Sequence, residues 1–176
     1  HPSLLHLNDL CPEMRFCLEG LTARPGVAFE AGDAETCPLP SGLDLLTSCS
    51  TLQWFASPRE FFRRAASLLR PGGVLAFTTF GLRNLHEIRT LTGNGLDYTP
   101  PQQLRHELED AGFCILHLEQ EEAVLRFPTP VDVLRHLRMT GVTGTEKQTW
   151  SRGQAEGVSL TYQPIYVISS QKTPTL

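Results

Sequence analysis

Val74-Leu75-Ala76-Phe77-Thr78-Thr79-Phe80 runs without a charged residue, directly after the break Pro71-Gly72-Gly73. Such a run reads as a strand covered on both faces, the kind found in a sheet with helices on each side. The segment before the break is the best-written helix in the chain. Ser57 can cap it, Pro58 suits its first position, and Glu60 completes an S-x-x-E capping box. Phe61, Phe62, Ala65, Leu68 and Leu69 fall on one helical face. Arg63, Arg64 and Arg70 lie elsewhere or near the helix C-terminus, where positive charge suits the dipole.

The same alternation recurs along the chain. Leu4–Leu7 reads as a strand ended by Asn8-Asp9, and Pro12–Leu21 reads as a helix with Met14, Cys17, Leu18 and Leu21 at helical spacing. Val27–Ala31 and Leu43–Cys49 are further strands, separated by the loop of Pro38, Pro40 and Gly42. Thr99-Pro100-Pro101-Gln102 opens another capped helix, with Leu104, Leu108 and Ala111 inward and Gly112 as terminator. Phe113–Phe127 holds one or two strands, Thr129-Pro130 caps a short helix through Val133, Leu134 and Leu137, and Thr140–Gly157 reads as loop. Val158–Ile168 closes the fold as a strand, with Pro164 demoting part of it to an edge or a bulge. The expectation is a single α/β domain over residues 1–176, a mostly parallel Rossmann-like sheet with an antiparallel C-terminal edge.

Composition narrows the function. The formal net charge of -4, from 15 Lys+Arg against 19 Asp+Glu, argues against nucleic acid as a partner. No apolar run approaches the roughly 20 residues that span a bilayer, so no membrane role is expected. Five cysteines at irregular spacing, with no C-x-x-C pair, imply reduced thiols and a cytoplasmic protein. The six histidines are scattered without metal-ligand spacing, so no metal is expected. G-x-G-x-x-G, G-x-x-x-x-G-K-[ST] and G-x-S-x-G are all absent, which leaves NAD, ATP and serine-hydrolase chemistry unsupported.

The chemically suggestive residues stand where a parallel sheet places its ligand, just beyond strand C-termini. Asp9 there can accept both hydroxyls of a ribose, or form an Asx turn. In Gly32-Asp33-Ala34-Glu35, Asp33 can accept from an exocyclic amine and the small Ala34 lets the backbone approach a flat ring. The pairing of Asp9 with Asp33, one helix and one strand apart, is more specific than either residue and points to an adenosine-type ligand. Phe80, Arg135, His136, Arg138, Tyr162 and Tyr166 are candidates for a substrate pocket. Arg135 and Arg138 share a helical face, and a guanidinium suits a substrate carboxylate or an acidic partner protein.

These segments resemble class I methyltransferase motifs: Asn8-Asp9-Leu10, Gly32-Asp33-Ala34-Glu35 with Pro38-Leu39-Pro40, Leu52-Gln53-Trp54-Phe55, Leu69-Arg70-Pro71-Gly72-Gly73 and Phe77–Gly81. Gly95-Leu96-Asp97-Tyr98, Phe127-Pro128-Thr129-Pro130, His136–Val142 and Leu160–Tyr166 more narrowly resemble the malonyl-acyl-carrier-protein O-methyltransferase family of biotin synthesis. The resemblance implies methyl transfer from S-adenosylmethionine to the free carboxylate of a malonyl thioester on its carrier protein. It also implies cofactor contacts at Asp9, Leu10, Asp33, Ala34, Glu35, Ser50, Leu52 and Gln53. Residue chemistry and position add Phe80, Arg138 and Tyr162 as the substrate side, with no general base, because a carboxylate is already nucleophilic.

The family's first strand and its glycine-rich turn have no counterpart before His1, so residues upstream are expected. The further helical stretch after Trp150-Ser151-Arg152-Gly153 is reduced here to Gln154-Ala155-Glu156. Two other readings share Asp9, Asp33 and the Pro71-Gly72-Gly73 turn: a methyltransferase for another small molecule, and an inactive methyltransferase-like binding domain. A nicotinamide-dependent enzyme stands further off.

Overall fold

The computed structural model describes residues 3–141 and 157–173. Its elements in chain order are β1 (Leu5–Asp9), α1 (Met14–Cys17), α2 (Glu19–Thr22), β2 (Val27–Ala31), β3 (Leu43–Cys49) and a short 3-10 turn (Leu52–Trp54). Next come α3 (Pro58–Leu68), β4 (Leu69–Phe80), α4 (His86–Thr92), α5 (Pro101–Asp110), β5 (Phe113–Gln120), β6 (Ala123–Phe127), α6 (Pro130–Met139), β7 (Val158–Tyr162) and β8 (Pro164–Gln171). The expected loop over Thr140–Gly157 lies mostly outside the described residues.

The α3 cap forms as its sequence dictates: Ser57 Oγ accepts the Glu60 amide, with Pro58 at the first turn. Phe61, Phe62 and Ala65 project from that helix into the main core. There they meet Leu75 and Phe77 of β4, Leu104 and Leu108 of α5, Phe113 of β5, and Ile165 and Val167 of β8. Phe62 is fully buried against Phe77, their ring centroids 5.5 Å apart. Truncating a phenylalanine so placed costs about 3–5 kcal/mol. A second cluster joins Leu85, just before α4, Ile88 of α4, Val133 and Leu137 of α6, and Val158 and Leu160 of β7.

β1 and β2 pair in parallel with Asp9 opposite Ala31, and β3 pairs in parallel with β4. The four-stranded sheet has the order β3-β4-β8-β5, and β6 pairs with β7 in a separate ribbon. Because β8 is antiparallel to both β4 and β5, β5 runs in the direction of β3 and β4. Among the described residues, β1 and β3 each hydrogen-bond to a single neighbouring strand.

Several sequence expectations change. The antiparallel C-terminal strand is present but is not the edge: β8 lies inside the sheet and β5 takes the edge. Pro164 stands neither at an edge nor in a bulge; it is the first residue of β8, where its missing N–H breaks no interior ladder. Pro12–Leu21 yields two single-turn helices that meet at Leu18, and Leu69 opens β4 instead of closing α3. The Pro71-Gly72-Gly73 segment lies within β4. α5 begins at Pro101, and its N-cap residue Pro100 supplies no side-chain cap.

Among the described residues β4 is covered on one face. Leu75, Phe77 and Thr79 are buried, whereas Val74, Ala76, Thr78 and Phe80 on the other side are only half-buried. On that second face Leu45, Leu116, Tyr166 and Ile168 are exposed.

Candidate functional site

Parallel pairing brings the ends of β1 and β2 side by side. The Gly32 amide donates to the Asp9 carbonyl at 2.9 Å, which locks the two strand-end loops together. The Asn8 side-chain amide donates to the Glu30 and Gly32 carbonyls at 3.0 and 2.9 Å, adding a second tie. In each loop the acidic residue makes an Asx turn: Asp9 Oδ1 accepts the Cys11 amide, and Asp33 Oδ1 accepts the Glu35 amide, both at 2.8 Å. The turn that competed with a ligand role for Asp9 is therefore present. It uses one carboxylate oxygen, and among the described residues Oδ2 of each aspartate receives no protein hydrogen bond. Leu10, next to Asp9, leaves its apolar side chain 75% exposed beside this pair. Ala34 packs its methyl against the main core and so presents backbone outward.

Two of the expected cofactor residues are engaged elsewhere. Glu35 uses both carboxylate oxygens on the Ala56 and Ser57 amides, so it links the Asp33 loop to the start of α3. Arg64 of α3 reinforces that link by donating to the carbonyls of Glu35 and Cys37. Leu52 is 2% exposed and belongs to the core, which leaves only its backbone for a ligand. Sequence spacing identified the segments correctly as strand-end loops but carried no signal of where these side chains turn.

Ser50, at the end of β3, adopts a left-handed backbone with φ 51°. Such a conformation costs a non-glycine residue on the order of 1–3 kcal/mol and clusters at ligand clamps. The neighbours hold it there: Ser50 N donates to the carbonyl and to Oγ1 of Thr78, both at 3.0 Å, and Gln53 Nε2 donates to the Ser50 carbonyl at 2.6 Å. Gln53 Oε1 in turn accepts from Thr79 Oγ1 at 3.3 Å. Ser50 and Gln53 thus form a braced corner above the ends of β3 and β4.

Phe80 ends β4 and lies between two tyrosines, its ring centroid 6.5 Å from Tyr98 and 6.3 Å from Tyr162. Asn84 donates to Tyr98 Oη at 2.9 Å, and its own Oδ1 accepts the Gln163 amide at 3.1 Å. Gly81 donates to the Gln163 carbonyl at 2.7 Å, and a Cβ at Gly81 would collide with the Gln163 side chain. Glu87 accepts from the Thr161 hydroxyl at 2.6 Å and from its amide at 3.0 Å. Burial pushes the Glu87 carboxyl up, but the two Thr161 hydrogen bonds, its own backbone amide and nearby His86 outweigh this and hold it below the ordinary carboxylate value. Tyr98, Asn84, Glu87, Thr161 and Gln163 were not anticipated from the sequence. The available signal was polar residues set among apolar neighbours, but Glu87 and Thr161 lie 74 residues apart and Asn84 and Gln163 79, with only Asn84 and Tyr98 closer at 14.

Tyr162 is half-buried, and burial raises its hydroxyl above the ordinary tyrosine value. Its Oη lies 2.9 Å from His136 Nε2. Arg138 is exposed in the last turn of α6, while Arg135 on the same helix is paired with Asp132 at 3.1 Å. Tyr166 lies apart from Tyr162, on the open sheet face, where it lines a cavity of about 400 Å³ with Thr47, Cys49, Ala76, Thr78 and Ile168. Among the described residues no cluster of three metal-ligating side chains occurs, and no helix is long and apolar enough to cross a membrane.

Residues 3–77 match the family model described as a methyltransferase domain. The chain is 46% identical over 199 aligned positions to a malonyl-acyl-carrier-protein O-methyltransferase of Bacteroides helcogenes, covering 98% of this chain and 72% of that protein. It is 46% identical to the protein of that name from Bacteroides thetaiotaomicron, covering 97% of this chain and 74% of the relative. The fold is similar to an S-adenosylmethionine-dependent methyltransferase structure from Mesorhizobium loti, with a TM-score of 0.61, 17% identity, and coverage of 96% of this chain and 81% of that one. An α/β sheet of this kind, joined to that degree of identity over nearly the whole chain, places the protein in the malonyl-acyl-carrier-protein O-methyltransferase family, with a class I methyltransferase fold.

Proposed function

We propose that this chain transfers a methyl group from S-adenosylmethionine to the free carboxylate of a malonyl group carried on acyl-carrier protein, an early step toward the pimeloyl moiety of biotin. The observation that carries the cofactor side is the Asp9–Asp33 pair. Two carboxylates end adjacent parallel strands, each fixed by an Asx turn through one oxygen, with exposed Leu10 beside them. That donor set suits an adenosine group: Asp9 for the ribose diol, Asp33 for the exocyclic amine, and Leu10 and the Ala34 backbone for the flat ring. Ser50 and Gln53 are assigned to the methionine side. S-adenosylmethionine, when bound, supplies an electrophilic methyl on sulfur.

The chain's own residues have the tasks of binding, alignment and water exclusion. An ionised carboxylate needs no proton removed, so no side chain is assigned as general base. Good alignment of two reactants can supply roughly 7–11 kcal/mol of the barrier. Phe80 and Tyr162 form the wall assigned to the malonyl end, and Arg138, two residues beyond His136 on α6, is assigned to supply positive charge.

The test is to incubate the protein with S-adenosylmethionine and malonyl-acyl-carrier protein and follow the carrier by mass spectrometry. Gain of one methyl, removed by alkaline ester hydrolysis, is the expected result. Methylation of free small acids but not of the carrier would replace the substrate assignment. Absence of S-adenosylhomocysteine binding by calorimetry would overturn the cofactor assignment.

A further inference from the structure

His136 touches Tyr162 in a way that the proposed substrate contact alone does not require. The imidazole lies between two aromatic rings, 5.1 Å from Phe127 and 5.9 Å from Tyr162, the latter nearly edge-on at 84°. Its helix is anchored on both sides of it in sequence: Val133 is fully buried and Leu137 nearly so, both packed in the cluster with Val158 and Leu160 of β7. Tyr162 ends β7 and packs against that same cluster. The two side chains are therefore held by rigid elements, and the 2.9 Å contact between Nε2 and Oη is short enough for a good hydrogen bond.

A phenol has one proton and a neutral imidazole has one N–H, so this contact has two mutually exclusive forms. If Nε2 is bare, Tyr162 donates its only proton to His136 and keeps only oxygen lone pairs, which would repel a carboxylate. If Nε2 carries the proton, it donates to Oη, and the Tyr162 hydroxyl points its own proton away from His136, where neighbouring Thr140 is the protein acceptor with which a substrate anion would compete. Burial keeps that hydroxyl protonated, as a donor must be. A hydroxyl so turned suits an anionic acceptor, and Phe80 lies against the same ring, its centroid 6.3 Å away.

We infer that His136 is a positioning residue: through its Nε2–H it turns the Tyr162 hydroxyl outward, so that Tyr162 donates to the substrate carboxylate oxygen that is not methylated. This rests on the assignment of Tyr162 to the malonyl end under the proposed function. His136 itself touches no substrate. Its effect is on binding of the carboxylate substrate, not on binding of S-adenosylmethionine.

The test combines a direct readout with kinetics. Nitrogen NMR of the histidine rings, assigned by comparison with His136→Gln, is expected to show His136 as the Nε2–H tautomer; the Nδ1–H tautomer overturns the inference regardless of activity. Tyr162→Phe and His136→Phe are each expected to raise KM for malonyl-acyl-carrier protein about tenfold, the size of one lost hydrogen bond to a charged group. The affinity for S-adenosylhomocysteine should stay within about twofold on the same reasoning. The double variant should be no worse than Tyr162→Phe alone, because His136 acts only through that hydroxyl. His136→Gln, whose amide can offer a donor in place of Nε2–H, should recover most of the loss. Independent, additive losses, or no rescue by Gln in a folded variant, would sink the inference while leaving Tyr162 as a substrate contact. Unchanged kinetics in Tyr162→Phe would remove the substrate assignment of Tyr162 and the His136 role with it.

Discussion

Glu35 receives two consecutive backbone amides, Ala56 N at Oε2 and Ser57 N at Oε1, each at 2.8 Å. One side chain thus fastens the loop that carries Asp33 to the start of the helix whose phenylalanines fill the main core. A residue expected at the cofactor becomes the reason that the Asp33 loop has a fixed place.

Replacing Glu35 with alanine leaves two amides without acceptors, and a lost charged acceptor of this kind costs about 2 kcal/mol. Thermal unfolding should show a midpoint lower by several degrees, at roughly 2–4 °C per kcal/mol for a chain of this size. S-adenosylhomocysteine affinity should fall as well, because the Asp33 loop loses its tie. Full affinity in a destabilised Glu35→Ala would separate the loop from the ligand.

Asp9→Asn and Asp33→Asn keep size and part of the Asx turn but change the free oxygen. If these residues bind ribose and adenine, each variant should weaken S-adenosylhomocysteine about tenfold or more by calorimetry, the scale of a charge-assisted hydrogen bond. Thermal stability should move by less than about 1 kcal/mol, since the turn oxygen Oδ1 remains. A large stability loss with unchanged affinity would make both residues purely structural.

Ser50 offers a test of backbone strain. Ser50→Gly should be neutral to stabilising by up to about 1 kcal/mol, because relief of the left-handed conformation competes with the added freedom of the unfolded chain. Ser50→Val, a β-branched residue in the same conformation, should destabilise by more than about 1 kcal/mol. Chemical denaturation of the two variants checks the order; a more stable valine variant would show that Ser50 is not strained.

The Glu87–Thr161 pair sets a pH dependence. Glu87 is held below its reference value of 4.5, so its contribution to stability is fully present above that pH and is lost as pH falls through the lower folded value. Glu87→Gln should flatten the acid limb of a stability-against-pH curve, and Thr161→Val, which removes the hydroxyl donor and keeps the amide, should flatten it in part. An acid limb unchanged in both variants would mean that other carboxylates govern it.

Much of the architecture was legible in the sequence, and its limits follow from range. Val27–Ala31 and Leu43–Cys49 emerge as strands at their expected bounds, and Ser57 caps α3, because those signals are local. The strand-end placement of Asp9 and Asp33 follows from the same local reading plus parallel pairing. Strand order does not: nothing near Pro164 says that β8 will be flanked on both sides. The turning of Leu52 into the core, the grip of Glu35 on Ala56 and Ser57, and the joining of Glu87 to Thr161 depend on residues 20 or more positions away, beyond any periodicity.

The place of β8 also dictates a schedule for building the molecule. Ser169 reaches back across 94 residues to the Leu75 carbonyl, and β8 separates β4 from β5, which both precede it in the chain. During synthesis, β4 and β5 must therefore leave the ribosome and wait with their inner edges vacant until the last described strand emerges. A wrong pairing of β4 directly with β5 is the hazard of that interval, and both strands point the same way. Parallel pairs are somewhat weaker than antiparallel ones, so the native β4–β8 and β8–β5 pairings are favoured over that one.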